Sequence, residues 1–258
     1  MNLTTSEVKS YLHCPYYYKF RWVDSVPLFK VRAKEYWFDA LKSCALDFFK
    51  TWISFEKPKL EELQGLWQKA WYEEPLALEW KNTAKGETKQ TLGNLGWVIL
   101  TKLYRWAESR QMIMGGASFP FSIDIDQDQL TGTIDLLLYT DASRTNFEAI
   151  KFVKSSYEAT KMQGHNDIEL TAWRMTLKKL TNLRGGFEPQ LKYYVLENIQ
   201  QPLILTHRND NQQTILEDTV RAIAGSIKDS RYYPHYGNRC LQCDYKDLCN
   251  KGKWQEED

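Results

Sequence analysis

The apolar positions of this chain follow one period in its first part and another in its middle. Thr4-x-x-Glu7 reads as a capping box, and Val8, Tyr11 and Leu12 follow at helical spacing, so a short helix should deliver Cys14, with Pro15 next. Residues 35 to 53 carry apolar side chains every three or four positions and predict a buried helix that contains Cys44 as a core residue. A further helix is predicted over about 59 to 72, with Leu60, Leu63, Leu66, Trp67 and Ala70 inward. Residues 82 to 88 are polar and read as a loop. Leu92, Leu95, Val98, Ile99, Leu103 and Trp106 stripe another helix over 90 to 110, which Met114-Gly115-Gly116 should end.

From Phe119 the pattern becomes that of strands. Ser122 to Asp126 alternates, Gln127-Asp128 marks a turn, and Gln129 to Tyr139 makes the apolar second arm of a hairpin. Asn146 to Lys154 predicts a third strand with Ile150, Phe152 and Lys154 on one face. A helix over 164 to 180 buries Ile168, Leu170, Ala172, Trp173 and Leu177, and Gly185-Gly186 closes it. Strands follow at 190 to 196 and 202 to 206, then a long helix over 212 to 228. This order predicts an α/β fold: a helical region over 1–115, a small mixed core over 116–206, and a C-terminal helix with a cysteine-rich tail over 207–258, together forming one compact unit.

Composition narrows the class. With 34 basic and 33 acidic residues the net charge is +1, which neither demands nor excludes nucleic acid, since a basic groove can sit inside a neutral total. No apolar run reaches the roughly 20 residues of a membrane span. The first residues lack the basic and apolar regions of a signal peptide, so a cytoplasmic setting is expected, where thiols stay reduced. The ten Trp and fifteen Tyr are expected mostly in the core. Tyr16-Tyr17-Tyr18-Lys19-Phe20-Arg21-Trp22 fits either a packed helix face or a surface where rings stack on bases and cations hold phosphates.

Reduced thiols give the C-terminal C-x2-C-x5-C spacing of Cys240, Cys243 and Cys249 its meaning. Thiolates are soft ligands, and two cysteines two apart can turn onto one metal centre. A fourth ligand must come from elsewhere, and Cys14 is the candidate; such a centre would staple the two ends of the chain. Zinc is one metal that four thiolates suit. His13, His165, His207 and His235 form no ligand pair in the sequence.

Several features then coincide: Cys14-Pro15 after a capped helix, Gly132-Thr133-Ile134-Asp135-Leu136-Leu137 on a strand, a following strand ending Lys154-Ser155-Ser156, Glu169-Leu170-Thr171-Ala172-Trp173 on the next helix, and the cysteine tail. Together they resemble the PD-(D/E)XK nuclease superfamily in its RecB-like iron–sulfur branch, which includes CRISPR-adaptation exonucleases and AddB-type helicase–nuclease subunits. The resemblance implies a restriction-endonuclease-like core and a structural [4Fe-4S] cluster on Cys14, Cys240, Cys243 and Cys249. It also implies DNA as the partner, cleaved by hydrolysis at Mg²⁺ or Mn²⁺. A hard cation needs carboxylate oxygens, and a lysine stabilises developing charge or orients water.

The chain departs from that pattern where the metal should bind. Asp135 holds the place of the first carboxylate and Lys154 that of the lysine, but Phe152 stands where the second carboxylate belongs. The family histidine should fall near Lys42 or Ser43, and the helical Gln-x-x-x-Tyr becomes Glu169-x-x-x-Trp173. The reading preferred from sequence is a nuclease whose acid has migrated, with Asp135 and Glu169 as metal ligands and Lys154 beside them. Glu148 lies six residues from Lys154, about 20 Å along a strand, and is a poor co-ligand. Lys151, Lys161 and Arg174 are candidates for phosphate contacts. The alternative reading is an inactive nuclease-fold scaffold with a protein partner in a DNA-processing or defence complex, and a third is a zinc-binding interaction domain.

Overall fold

The computed structural model describes residues 1–28, 31–54, 57–73, 78–80, 87–110, 113–141, 143–164, 167–182, 188–198 and 200–249. The chain begins with a strand, β1 (Asn2–Thr4), and helix α1 (Thr5–His13). The capping box forms as the sequence predicts: Glu7 N–H donates to Thr4 Oγ1 at 3.1 Å, and Thr4 N–H donates to Glu7 Oε2 at 2.7 Å. Helix α2 (Pro15–Tyr18) follows and widens into one π-helical stretch, Lys19–Val23.

Short strands β2 (Val31–Arg32) and β3 (Leu78–Glu79) flank helices α3 (Ala33–Ser54) and α4 (Leu60–Tyr72), and helix α5 (Lys89–Ser109) completes the helical group. These helices share one core of Trp37, Leu41, Phe48, Leu63, Trp67, Trp71, Leu100 and Leu103. Three indole N–H groups fix the packing by donating to carbonyls of the first turns of α5: Trp37 to Leu92 at 2.8 Å, Trp67 to Gly93 at 3.0 Å and Trp71 to Lys89 at 3.0 Å. Gly96 lets Trp67 lie directly on α5, because a Cβ there would sit 2.3 Å from Trp67 Cζ2. Four of the tryptophans, Trp37, Trp67, Trp71 and Trp173, are fully buried, as expected of core rings.

A six-stranded mixed sheet follows, with β1, β5 (Asp128–Tyr139), β6 (Phe147–Val153), β7 (Gln190–Val195) and β8 (Leu203–Thr206) in order and β4 (Ile113–Ile125) also on β5. Strands β4 (Ile113–Ile125) and β5 (Asp128–Tyr139) form the predicted hairpin, with the turn at Asp126 (φ 54°) and Gln127, one residue earlier than expected. Met114-Gly115-Gly116 does not end a helix; it lies inside β4. A Cβ on Gly115 would lie 3.0 Å from the Leu137 carbonyl oxygen, so the glycines here permit close strand approach. Strand β6 (Phe147–Val153) pairs antiparallel with β5 and parallel with β7 (Gln190–Val195), which pairs antiparallel with β8 (Leu203–Thr206). The crossover from β6 to β7 carries two helices, α6 (Ser156–Gly164) and α7 (Ile168–Asn182), where the pattern had predicted one. Helix α8 (Asp210–Lys228) precedes the cysteine tail. Gly185-Gly186, most of the 82–88 loop, His165 and the Lys161 side chain lie outside the described residues.

Contacts group the chain into two compact units, one of residues 1–29, 122–132 and 214–258, the other of 30–121 and 133–213. The first joins the two ends of the chain; the second holds the helical core and most of the sheet. No helix among the described residues is long and apolar enough to cross a membrane.

Candidate functional site

The carboxylate site lies in the larger unit, where β5 and β6 part. Their paired register runs from Tyr139↔Phe147 to Leu136↔Ile150. At the next residue of β5 the Asp135 carboxylate takes the Phe152 N–H at 3.0 Å. Asp135 is 5% exposed, and Lys42 of α3 places its ammonium 2.8 Å from the same oxygen. Burial lifts the Asp135 carboxyl above the usual range; Lys42 and the Phe152 N–H pull it back, while the nearby charge of Glu169 pushes it further up. Lys42 is thus where the resemblance placed a histidine, and it serves Asp135 as a counter-charge.

Phe152 packs its ring into the core. It is 2% exposed, its ring stacks with Phe49 at 6.3 Å, and it meets Tyr194 edge-on at 5.6 Å. Lys42 and Phe49 are seven residues apart on α3, two helical turns, so one face of α3 covers both the carboxylate and the phenyl ring.

Glu169 sits in the first turn of α7, and a buried lysine holds it there. Lys151, 4% exposed, reaches Glu169 Oε2 at 2.6 Å and both oxygens of Asp167 at 2.8 and 3.0 Å. Burial disfavours the Lys151 charge, but Glu169 and Asp167 outweigh it and drive the ammonium pKa upward. Asp167 also caps α7, accepting from the N–H groups of Glu169 at 3.1 Å and Leu170 at 3.3 Å. Its other oxygen accepts from Tyr193 OH at 3.0 Å, and that hydroxyl accepts from Arg208 at 3.0 Å.

The structure therefore brings Asp135 and Glu169 into one electrostatic neighbourhood with Lys42 and Lys151. Lys154 lines an open cleft of about 650 Å³ with Glu35, Asp39, Glu158 and Glu197. Its backbone N–H donates to Glu158 Oε2 at 3.0 Å, which ties it to the start of α6. Glu148 is paired with Lys192 at 2.7 Å, and Arg174 with Glu188 and Asp210, so neither is positioned for the site. Sequence reasoning did not assign Asp167, Tyr193 or Arg208. Asp167 alone carried a local signal, an Asp immediately ahead of a helix.

The cysteines occupy the smaller unit. His235 N–H donates to Cys14 Sγ at 3.3 Å, and the Cys240 thiol faces the His235 carbonyl at 3.8 Å. Cys243 is raised by burial, with the charges of Asp244, Cys14 and Cys240 adding to the shift and a Tyr245 backbone hydrogen bond opposing it. Cys249 N–H donates to Tyr245 O at 2.9 Å, one helical turn back. The two ends of the chain meet around these sulfurs. Arg239 donates to His13 O at 2.9 Å, Tyr245 OH to Val26 O at 3.0 Å, and Tyr11 OH to Arg231 O at 2.6 Å. Tyr17 and Phe20 hold the Tyr245 ring at 5.2 and 5.6 Å, and Tyr18 stacks on Tyr232 at 6.2 Å. Much of the aromatic run thus seats the tail. Trp22 remains 38% exposed with the Arg21 guanidinium 5.6 Å over its ring. Cys44 is a core thiol pushed up to about 12 by burial.

Two implied metals meet different donor sets. Cys14, Cys240 and Cys243 lie within electrostatic reach of one another, and thiolates are the donors that a sulfur-ligated centre would need. Asp135 and Glu169 do not fit a divalent cation, because each carries a lysine ammonium and Phe152 fills the position of the missing acid. No three His, Cys, Asp or Glu side chains among the described residues converge as a ready-made ligand group. A family model described as the PD-(D/E)XK nuclease superfamily matches residues 2–250. No curated protein matches the chain.

Proposed function

We propose that this chain, which belongs to the PD-(D/E)XK nuclease superfamily, binds DNA without hydrolysing it and serves as the nuclease-fold subunit of a larger DNA-processing or defence complex. The observation that carries this reading is the Lys42–Asp135 pair at 2.8 Å beside a Phe152 sunk in the core. Hydrolysis in this superfamily needs an anionic cradle for a divalent ion; here the one retained motif carboxylate is already neutralised. The DNA-facing role draws on the fold and on the exposed Arg21–Trp22 pair, which suits a phosphate and a base.

The same reading places the chain in the RecB-like iron–sulfur branch. Cys14, Cys240, Cys243 and Cys249 would hold a [4Fe-4S] cluster that joins the chain ends and supplies folding free energy rather than chemistry. Iron with acid-labile sulfide in protein purified without oxygen is the expected content; zinc alone would replace the cluster with a structural zinc site.

The test is a cleavage and binding assay on cluster-loaded protein, using single- and double-stranded DNA with Mg²⁺ or Mn²⁺. Salt-sensitive binding without cleavage is expected. Cleavage that disappears in Asp135→Ala would overturn the reading. It would support instead the second one, metal-dependent hydrolysis through Asp135 and Glu169, which is favoured by the electrostatic coupling of those two groups.

A further inference from the structure

We infer that Lys42 fills the cation position of the Asp135 site, so that this protein is closed to divalent metal there for as long as that ammonium is present. This inference rests on the non-hydrolysing reading above and adds its physical cause. Three acids, Asp135, Asp167 and Glu169, are matched by three cations. Lys42 serves Asp135, Lys151 serves Asp167 and Glu169, and Arg208 reaches Asp167 through the Tyr193 hydroxyl. Within these named contacts the charges balance. A divalent ion added to it would leave two uncompensated positive charges at a site where Asp135 and Lys151 are nearly excluded from water.

The three cations differ in how readily they could yield. Lys151 and Arg208 are 4% and 6% exposed and sit inside the network. The Lys42 side chain is 28% exposed, and among the described residues its ion pair is with Asp135. Lys42 is therefore the cation whose removal would leave Asp135 with uncompensated negative charge and open a path from solvent. With it gone, the Asp135 carboxylate becomes a hard oxygen donor reachable by Mg²⁺ or Mn²⁺, while Glu169 stays paired with Lys151 and adds its charge from nearby.

The experiment measures Mn²⁺ binding by loss of the free-ion EPR signal, on the full cluster-loaded chain. Thermal shift with Mn²⁺ is the second readout. Wild type should match Asp135→Asn, with no saturable binding assignable to this site. Lys42→Ser should gain one saturable site at least about a hundredfold tighter than wild type, since a facing ammonium strongly repels a divalent ion at these distances. Lys42→Ser with Asp135→Asn should lose it again. If Lys42→Ser fails to fold, Lys42→Gln removes the charge at nearly the same length and should show the same gain. Saturable wild-type binding abolished by Asp135→Asn would overturn the inference, as would folded, iron-loaded Lys42 variants that gain nothing. The second result would leave the DNA-binding reading standing; metal-dependent DNA cleavage by wild type would sink that reading instead.

Discussion

Restoring the missing acid tests where Phe152 belongs. Sequence logic says that Phe152→Asp should complete a metal site and raise activity. The packing says otherwise. Phe152 is 2% exposed, stacked on Phe49 and set against Tyr194. Removing a buried phenyl ring costs about 3–5 kcal/mol in a core that relaxes only in part. The new carboxylate would then sit in apolar surroundings beside Asp135, where burial and a like charge both oppose ionisation. At about 2–4 °C per kcal/mol, the ring loss alone lowers the melting temperature by roughly 6–20 °C. Phe152→Leu, which keeps an apolar side chain, should cost only about 1 kcal/mol. Thermal melts and near-ultraviolet circular dichroism of the three proteins decide the matter. A Phe152→Asp protein that melts within a few degrees of wild type and gains Mn²⁺-dependent cleavage would refute the core assignment.

Other perturbations address separate parts of the molecule. Gly96→Ala drives a methyl into the Trp67 ring, which a Cβ would approach to 2.3 Å, and should cost about 1–3 kcal/mol in chemical denaturation, whereas Gly65→Ala, with open space around it, should not destabilise. Asp135 has a folded pKa above its ordinary value through burial, so folding takes up a proton between the unfolded and folded values. Wild-type stability should therefore fall relative to Asp135→Asn as pH rises through that window above 3.8, and a wild-type gain over the same range would show that the Lys42 pair outweighs burial. Cys243→Ala should lose iron and acid-labile sulfide and melt at lower temperature; unchanged iron content and stability would remove the stapling role.

The elements legible in the sequence were those governed by local periodicity. The Thr4–Glu7 capping box, the stripe of α3, the β4–β5 hairpin and the β6 strand all follow from neighbours within a few residues, whereas the stripe read for α5 is only partly buried, with Leu95 and Val98 exposed. The errors arose where tertiary contact overrode local habit. Gly115 and Gly116 look like breakers, yet in β4 their missing side chains admit Leu137 and Phe119. The crossover reads as one helix, whereas α6 starts immediately after β6 with Ser155 accepting the Glu158 N–H at 3.2 Å. At the site, the cation on Asp135 is Lys42 of α3, while Lys151 of β6 and Tyr193 of β7 serve Asp167, and no pattern along the chain encodes a contact between remote elements.

Two of the departures from the superfamily pattern have a common physical logic. A metal site holds several carboxylates together only because the ion cancels their repulsion. Phe152 belongs to the apolar surface beneath α3 and offers an ion no ligand. Asp135 has a local role as well, since its carboxylate accepts the Phe152 N–H at the point where the β5–β6 ladder stops. A buried carboxylate without metal requires a cation of the protein's own. Lys42, on the same face of α3 that packs Phe49 onto Phe152, is placed to provide it. The phenylalanine and the lysine thus act together: one fills the core beside Asp135, and the other offsets part of the burial that opposes the charge of that acid.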